Sequence, residues 1–238
     1  LQRRLRALQV DTFDEYIERV FAGDDAELIH MIDAVTTNKT DFFREPDHFD
    51  MLTGRLLPRM LERNPRHGTF SFWSAGCSTG EEPYTLAMVL EEYASSHPGF
   101  GYHILASDIS TRALDAAMTA VYPQERVNPV PAQYRKKYLL RNKDPRQATV
   151  RVRKELRDNV DFIRLNFMDD YFPLEGRFDV IFCRNVIIYF DRTTQERILG
   201  HMCDYLNVGG NFILGHSETL TGMNLPLRGL APTVYERI

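Results

Sequence analysis

The segment Ser74-Ala75-Gly76-Cys77-Ser78-Thr79-Gly80 places two glycines where a short apolar run gives way to a helical one. Glycine lets a backbone approach a ligand closely and take positive φ. A strand-to-helix turn of this kind is where doubly wound sheets bind their ligands. The turn lacks the Gly-x-Gly-x-x-Gly order and has no Gly-Lys-Ser/Thr, so it is not a phosphate-cradling loop. Asp108 follows it by one helix and one strand. That spacing suits a carboxylate accepting two hydrogen bonds from a ribose diol. The same residue also suits the cap of a helix opening near Ser110, and both uses draw on the same oxygens. The glycine turn, in register upstream, favours the ribose. An adenosine-type ligand without a phosphate loop points to S-adenosylmethionine.

A sheet has to position these groups. Strands are expected at Thr69 to Trp73, Tyr102 to Ala106, Val160 to Leu165, Phe178 to Cys183, Asn211 to Leu214 and Thr233 to Arg237. Helices are expected from Glu81, from Ser110 to about Ala120, and from Thr193 to Leu206, the last ending at Gly209-Gly210. Such alternation means a doubly wound α/β parallel sheet with helices on both faces. The first part of the chain reads as helices only. Asp11 or Thr12 caps a run in which Phe13, Tyr16, Ile17 and Val20 keep helical spacing. A second helix covers Ala26 to Val35, and Pro46 opens a third that reaches about Arg63. Asn64 to Gly68 reads as a linker, which divides the chain into a small all-helical domain (1–63) and a ligand-binding domain (69–238).

Residues 135–157 depart from this rhythm, with ten Lys/Arg against two Asp/Glu. Ala148 to Lys154 alternates as an antiparallel strand does, with Arg151 and Arg153 on one side. This span is expected to form a small antiparallel β-insertion, and a charge-protected, solvated edge strand is its plain competitor.

The net charge of −4 over 238 residues excludes a whole-chain polyelectrolyte, though not a local basic patch. No apolar run approaches the roughly 18 residues of a membrane span. The chain opens at Leu1 with neither an initiator Met nor an apolar signal core and reads as lacking some N-terminal structure. Three scattered cysteines form no pair or framework, which suggests a reducing cytoplasm. The seven histidines show no ligand spacing, so no metal is expected.

Five pieces of the chain, in order, resemble the chemotaxis receptor glutamate methyltransferases, the CheR-type family. They are Thr36-Thr37-Asn38-Lys39-Thr40-Asp41-Phe42-Phe43-Arg44-Glu45, Trp73 through Tyr84, Ala106-Ser107-Asp108-Ile109, Phe182 through Phe190, and Gly215-His216-Ser217-Glu218. The resemblance implies an S-adenosylmethionine-dependent methyltransferase sheet with a small N-terminal helical domain and a β-insertion. It implies that Asn38, Thr40 and Arg44 reach from the helical part to the cofactor, with Gly76 in the cofactor turn. Glu82 contacts the cofactor, Asp108 is the strand-end acid, and Asn166 follows the third strand. Phe167, where the family often has Leu, is an apolar wall for the adenine. Arg184 and Asn185 line the methionine side, and Tyr189 faces the transferred methyl.

The chemistry agrees with an active site that has no obvious base. The implied acceptor, a glutamate side chain, is ionised at neutral pH. What remains is to align carboxylate oxygen, methyl carbon and sulfur and to lower the water content around them. Arg44 suits either the acceptor carboxylate or the cofactor's own, and Tyr189 suits a hydrogen bond to the acceptor oxygen. Their plain alternatives are a helix cap for Arg44 and an interface aromatic for Tyr189. Trp73 reads as core, Cys77 and Cys183 as packing residues, and His216 as a neighbour of the site, a cap or a core residue.

The implied partner is the cytoplasmic helical bundle of a chemoreceptor, a methyl-accepting chemotaxis protein. The enzyme is then cytoplasmic and recruited to membrane receptor arrays without inserting in the membrane. Arg3, Arg4, Arg6 and the basic insertion would steer acidic helices. Docking of a receptor C-terminal tail on the insertion's strand edge is not expected, because the loop Arg141 to Ala148 has none of the glycines of versions that dock one. Two other classes compete. A nucleic-acid methyltransferase would use the insertion as a phosphate track, but only Tyr134 and Tyr138 flank it and no base-flipping module is recognisable. A cofactor-sensing scaffold has no feature in its favour.

Overall fold

The structure is a computed structural model that describes residues 1–23, 25–63, 68–144 and 146–238. The expected linker, apart from Gly68, lies outside the described residues. Three helices come first, α1 (Gln2–Leu8), α2 (Phe13–Phe21) and α3 (Asp25–Val35). A reciprocal capping box of Thr12 and Glu15 starts α2. Leu5, Tyr16 and Val20 form a small core of their own. Tyr16 donates to Glu27 Oε1 at 2.7 Å, and Arg4 forks onto both oxygens of Glu27. Arg4 is therefore an internal brace, whereas Arg3 and Arg6 are exposed.

The helix opened by Pro46 is not regular. It runs as α4 (Asp47–Met51), a π-helical turn (Leu52–Leu56) and α5 (Leu57–Arg63). Pro58 has no N–H, and its ring crowds the carbonyl one turn back, so the backbone widens and Leu57 N–H reaches Leu52 O.

The remaining chain is β1 (Thr69–Ala75), α6 (Glu81–Ser96), β2 (Gly101–Asp108), α7 (Thr111–Thr119), β3 (Val121–Pro123), α8 (Ala132–Tyr138), β4 (Leu139–Arg141), β5 (Thr149–Val152) and α9 (Lys154–Arg157). It continues with β6 (Val160–Arg164), β7 (Phe178–Cys183), α10 (Arg192–Asp204), β8 (Leu206–Leu214), β9 (Leu227–Ala231) and β10 (Val234–Arg237). The main sheet has the order β6-β2-β1-β7-β8-β10-β9. The first five strands are parallel, while β10 and β9 close one edge as an antiparallel hairpin, so the sheet is mixed rather than wholly parallel. Strand β9 has no counterpart in the sequence reading.

Strands buried on both faces read as unbroken apolar runs, and the pleat sorts them. Phe72, Val180 and Phe182 enter a core shared with α4, α5 and α6. Trp73, Ile181 and Cys183, one residue out of phase, enter the other core beside Ile198, Leu199 and Met202 of α10. Trp73 is fully buried there and donates to Ser107 Oγ at 2.9 Å. Cys77, Cys183 and Cys203 are buried free thiols.

Two local expectations need correction. Helix α10 stops at Asp204, and the Gly209-Gly210 pair lies within β8, next to an irregularity in its pairing with β7. The small antiparallel sheet has the order β3-β5-β4, so it begins upstream of residue 135, and β5 is its central strand rather than a solvated edge. Val150 and Val152 point inward and Arg151 outward, while Arg153 lies beyond the strand as the N-cap of α9. No helix among the described residues is long and apolar enough to cross a membrane.

Candidate functional site

In the main sheet the chain leaves β1 for β2 on one side and reaches β7 on the other. The turns after β1 and β7 therefore open away from each other at their carboxyl ends, the switch point at which such sheets bind ligands. The two turns nonetheless touch. Gly76 has φ +81°, and a Cβ there would lie 2.3 Å from Val186 Cγ2. Gly80, at φ +94°, is the N-cap of α6, and a Cβ there would meet Tyr122 Oη at 2.8 Å. Only glycine satisfies both the dihedral and the close approach. The N–H groups of Gly76 and Cys77 donate to Ser107 O, which pins the turn to the end of β2.

A cavity of about 510 Å³ occupies this point, within the range of small-molecule and cofactor sites. The residues that the resemblance assigned to the site all line it: Asn38, Thr40, Arg44, Gly76, Glu82, Asp108, Asn166, Phe167, Arg184, Asn185 and Tyr189. Ile109 and Leu165 add apolar wall that the sequence reading did not include. A second groove, of about 590 Å³, lies over α10 away from the switch point and holds only Phe167 of those residues.

Asp108 is buried, with Oδ2 accepting Ser78 N–H at 2.8 Å and Oδ1 accepting Ser110 N–H at 2.9 Å. Burial pushes its carboxyl above the ordinary range, and those N–H groups pull it back. The cap of α7 is Ser110, whose hydroxyl accepts from Ala113 N–H. The competing cap role thus falls on Ser110, and each Asp108 oxygen keeps lone-pair capacity toward the cavity. Phe167 packs edge-on against Trp73, with ring centroids 6.3 Å apart. Asn166 spends its side chain on the following loop, donating to Asp169 Oδ1 at 2.8 Å and accepting from Met168 N–H.

The loop from Asn38 to Arg44 closes another wall. Arg126 donates to Thr40 O at 3.0 Å and to buried Glu81 at 2.6 Å. Phe43 N–H donates to Thr85 Oγ1 at 3.1 Å, and Phe42 sets its ring edge-on to Tyr122. Asn38 approaches Thr36 Oγ1 at 3.5 Å. Arg44 donates to Lys39 O at 3.3 Å, a contact inside the loop and not a helix cap.

Arg184, at the end of β7, ties this loop to the sheet. Its Nε and Nη2 donate to Glu45 Oε2 at 3.3 and 3.0 Å, and Nη1 donates to Glu82 Oε2 at 3.2 Å. Nη2 also donates to Arg44 O, and the guanidinium lies over the Phe49 ring at 5.4 Å. Arg184 is thus a buried clamp with all three of its nitrogens engaged, and a lysine could not reproduce it. Glu82 accepts from Ser74 Oγ at 2.7 Å as well. Burial raises its pKa, and Arg184 opposes the shift. The Coulomb influence of Arg184 adds to burial in holding His48, next to Glu45, down to about 4.

The turn after β7 rests on a residue to which the sequence reading gave no role. Glu218 Oε1 accepts from Val186 and Ile187 N–H at 2.9 and 3.0 Å, and Oε2 accepts from Asn185 and Gly215 N–H at 2.9 and 2.7 Å. This carboxylate holds Asn185 at φ +60° and starts the short helical turn Ile187–Tyr189. Asn185 Nδ2 reaches Glu45 Oε1 at 3.3 Å. Ile188 and Tyr189 line the cavity yet are 45% and 64% exposed, which puts them at its rim. His216 stands outside the cavity, bonded to Asp47.

The carboxylates lining the cavity all have protein partners: Asp108 and Glu82 as above, and Asp41 with Arg126 at 3.7 Å. No histidine is among its lining residues.

Comparison with known proteins shows the family. The model of the CheR methyltransferase, SAM binding domain, matches residues 38–235. A chemotaxis protein methyltransferase of Borreliella burgdorferi is 39% identical over 241 residues, covering 100% of this chain and 84% of its own length. The chemotaxis protein methyltransferase 2 of Pseudomonas aeruginosa is 41% identical, with coverage of 99% and 82%. The Salmonella typhimurium chemotaxis protein methyltransferase is 40% identical, with coverage of 99% and 79%. The chain thus carries a SAM binding domain and belongs to the CheR methyltransferase family.

Proposed function

We propose that this protein methylates the side-chain carboxylates of specific glutamates on the cytoplasmic helices of chemoreceptors, forming methyl esters in chemosensory adaptation. The observation that carries the reading is a cavity whose two buried acids, Glu82 and Asp108, are engaged as acceptors, whose third, Asp41, is paired with Arg126, and whose rim offers a guanidinium and a phenol. An ionised carboxylate, with an ordinary pKa of about 4.3, is a nucleophile that needs no base at neutral pH. An amine or alcohol acceptor would need one.

S-adenosylmethionine supplies a methyl group already activated on a sulfonium. The chain's own residues bind and align. The remaining lone pairs of Asp108 accept from the ribose hydroxyls. Ile109, Leu165 and Phe167 form the adenine wall, and the loop shaped by Asn166 carries that wall. Gly76 lets the turn backbone approach, while Asn38 and Thr40 close the site from the helical segment. Glu82, Arg184 and Asn185 define the methionine end. Arg44 and Tyr189 hold the acceptor carboxylate in line and narrow the water-accessible rim. Exposed Arg135, Lys136, Arg141, Lys143 and Arg151 of the small-sheet segment form a positive surface toward acidic receptor helices. The enzyme acts in the cytoplasm at receptor arrays.

Transfer of labelled methyl to a receptor cytoplasmic fragment tests this, with RNA run in parallel. Base-labile label on the receptor, as expected of a carboxyl ester, supports the reading. Base-stable label, or label on RNA alone, refutes it.

A further inference from the structure

On the side of the Arg184 clamp away from Glu82, three side chains converge that the proposed transfer does not use. Glu45, His48 and His216 each place one potential ligand atom within 4.8 Å of the other two. His48 is 1% exposed, and its Nε2 lies 2.8 Å from Thr233 Oγ1. The Thr233 hydroxyl donates its single hydrogen to Pro232 O at 2.7 Å. With its hydrogen on Pro232 O, the hydroxyl accepts from the Nε2–H tautomer of His48, the one that leaves Nδ1 open to ligate. Nδ1 then carries a bare lone pair. It has no hydrogen-bond partner, and it stands 3.5 Å from Glu45 Oε2. In that tautomer two acceptors face each other, and the positive group now beside them is Arg184, which donates twice to Glu45 Oε2.

His216 approaches from the open side, its ring edge-on to His48 with centroids 4.9 Å apart. Its Nε2 is 3.0 Å from Asp47 Oδ2. A carboxylate accepts, so His216 donates there from Nε2, and Nδ1 is the nitrogen that can face a metal. Each imidazole thus has one nitrogen oriented by an outer oxygen and the other left to ligate, the arrangement that metal-binding histidines use.

We propose that Glu45, His48 and His216 form a binding site for a divalent transition-metal ion of the zinc class, with a fourth position open to water. Two imidazoles and one carboxylate are a zinc ligand set, whereas magnesium prefers oxygen ligands and keeps its waters. Neighbouring ligand atoms around tetrahedral zinc stand about 3.3 Å apart, given Zn–N and Zn–O distances near 2.0–2.1 Å. The Glu45–His48 pair is already close to that spacing. His216, with half of its side chain exposed, completes the set by a small side-chain rotation. The ion competes with Arg184, which now donates twice to Glu45 Oε2. Because Arg184 also holds Glu82, ion binding and cofactor binding oppose each other, each weakening the other by the same factor. This coupling rests on the cavity being the cofactor site, and the ion site itself does not.

The test is a Zn²⁺ titration of the full chain against a chromogenic indicator, with Mg²⁺ as second titrant. One equivalent of Zn²⁺ is expected, with no Mg²⁺ bound at the same concentration. His216→Ala and His48→Gln should each weaken Zn²⁺ at least tenfold. His103→Ala, at a surface histidine beside Asp161, should leave it unchanged. Unchanged Zn²⁺ affinity in His216→Ala overturns the proposal, as does Mg²⁺ binding of equal strength. Should melting show His48→Gln unfolded, His216→Ala decides alone, since its side chain lies outside the core. S-adenosylhomocysteine affinity, measured by calorimetry with and without Zn²⁺, should fall as the ion binds. An affinity indifferent to Zn²⁺ overturns the shared use of Glu45.

Discussion

Glu218→Gln is nearly isosteric, and its cost can be worked from the four N–H groups the carboxylate accepts. An amide oxygen can keep one pair of donors, either Val186 and Ile187 or Asn185 and Gly215. The amide NH₂ then faces the other pair, donor against donor, in a place where Glu218 is only 5% exposed. Two hydrogen bonds to a charged acceptor are lost, at about 1.5–3 kcal/mol each, so the substitution should cost roughly 3–6 kcal/mol. Against a typical domain stability of about 5–15 kcal/mol, that is a large fraction. Equilibrium urea unfolding reads it directly, because the chain has one tryptophan, Trp73, and it is buried beside this turn's strand. Cofactor affinity should fall as well, since the same turn carries Asn185 and Tyr189. A stability loss under about 1 kcal/mol with unchanged cofactor binding would refute the account of Glu218 as the anchor of the turn.

Arg44→Ala should abolish most methyl transfer while the urea midpoint stays within about 0.5 kcal/mol of the parent, the range for partly exposed sites; near-normal turnover would remove Arg44 from the acceptor site. Gly76→Ala forces a left-handed dihedral, about 1–2 kcal/mol, and drives its Cβ into Val186. Val186→Ala should relieve the second part only, so the double-mutant cycle should show coupling, and additive losses would argue against the close approach. Glu236 accepts from Arg228, which lowers its pKa, with help from Arg63 at 2.8 Å. A depressed carboxyl adds stability that is present above the unfolded value of about 4.3 and lost as pH falls through the lower folded value. Between pH 7 and pH 3, Glu236→Gln should therefore show a shallower loss of stability than the parent, and parallel pH profiles would contradict the assignment.

The glycine turn and the strand-end acid were legible because they rest on local rules. A turn that needs positive φ and close approach demands glycine, so Gly76 and Gly80 stand out in any context. A strand-end acid one helix and one strand later marks Asp108. The bounds of β7, Phe178 to Cys183, follow from an apolar run with turn residues beyond it. The Asn38 to Arg44 loop was legible only through family resemblance, because nothing in an Asn-x-Thr pattern says where it folds back.

What the chain could not reveal locally is which side chains spend their hydrogen bonds on one another. Arg184 reads as a ligand-binding cation, yet its partner Glu45 lies 139 residues away, and their meeting makes it a clamp. Glu218 reads as any acid after a strand, and only the packed turn turns four N–H groups toward it. The basic run around Arg151 looks the same on an edge strand as on a central one, and pairing on both sides decided that. Residue type and short spacing determined the sheet and the glycine turn, because dihedral preference and pleat period act over a few residues, while family resemblance gave the class of chemistry. Tertiary structure decided the clamp, the turn anchor and the Glu45–His48–His216 cluster, because burial and hydrogen-bond satisfaction depend on groups that only folding brings together.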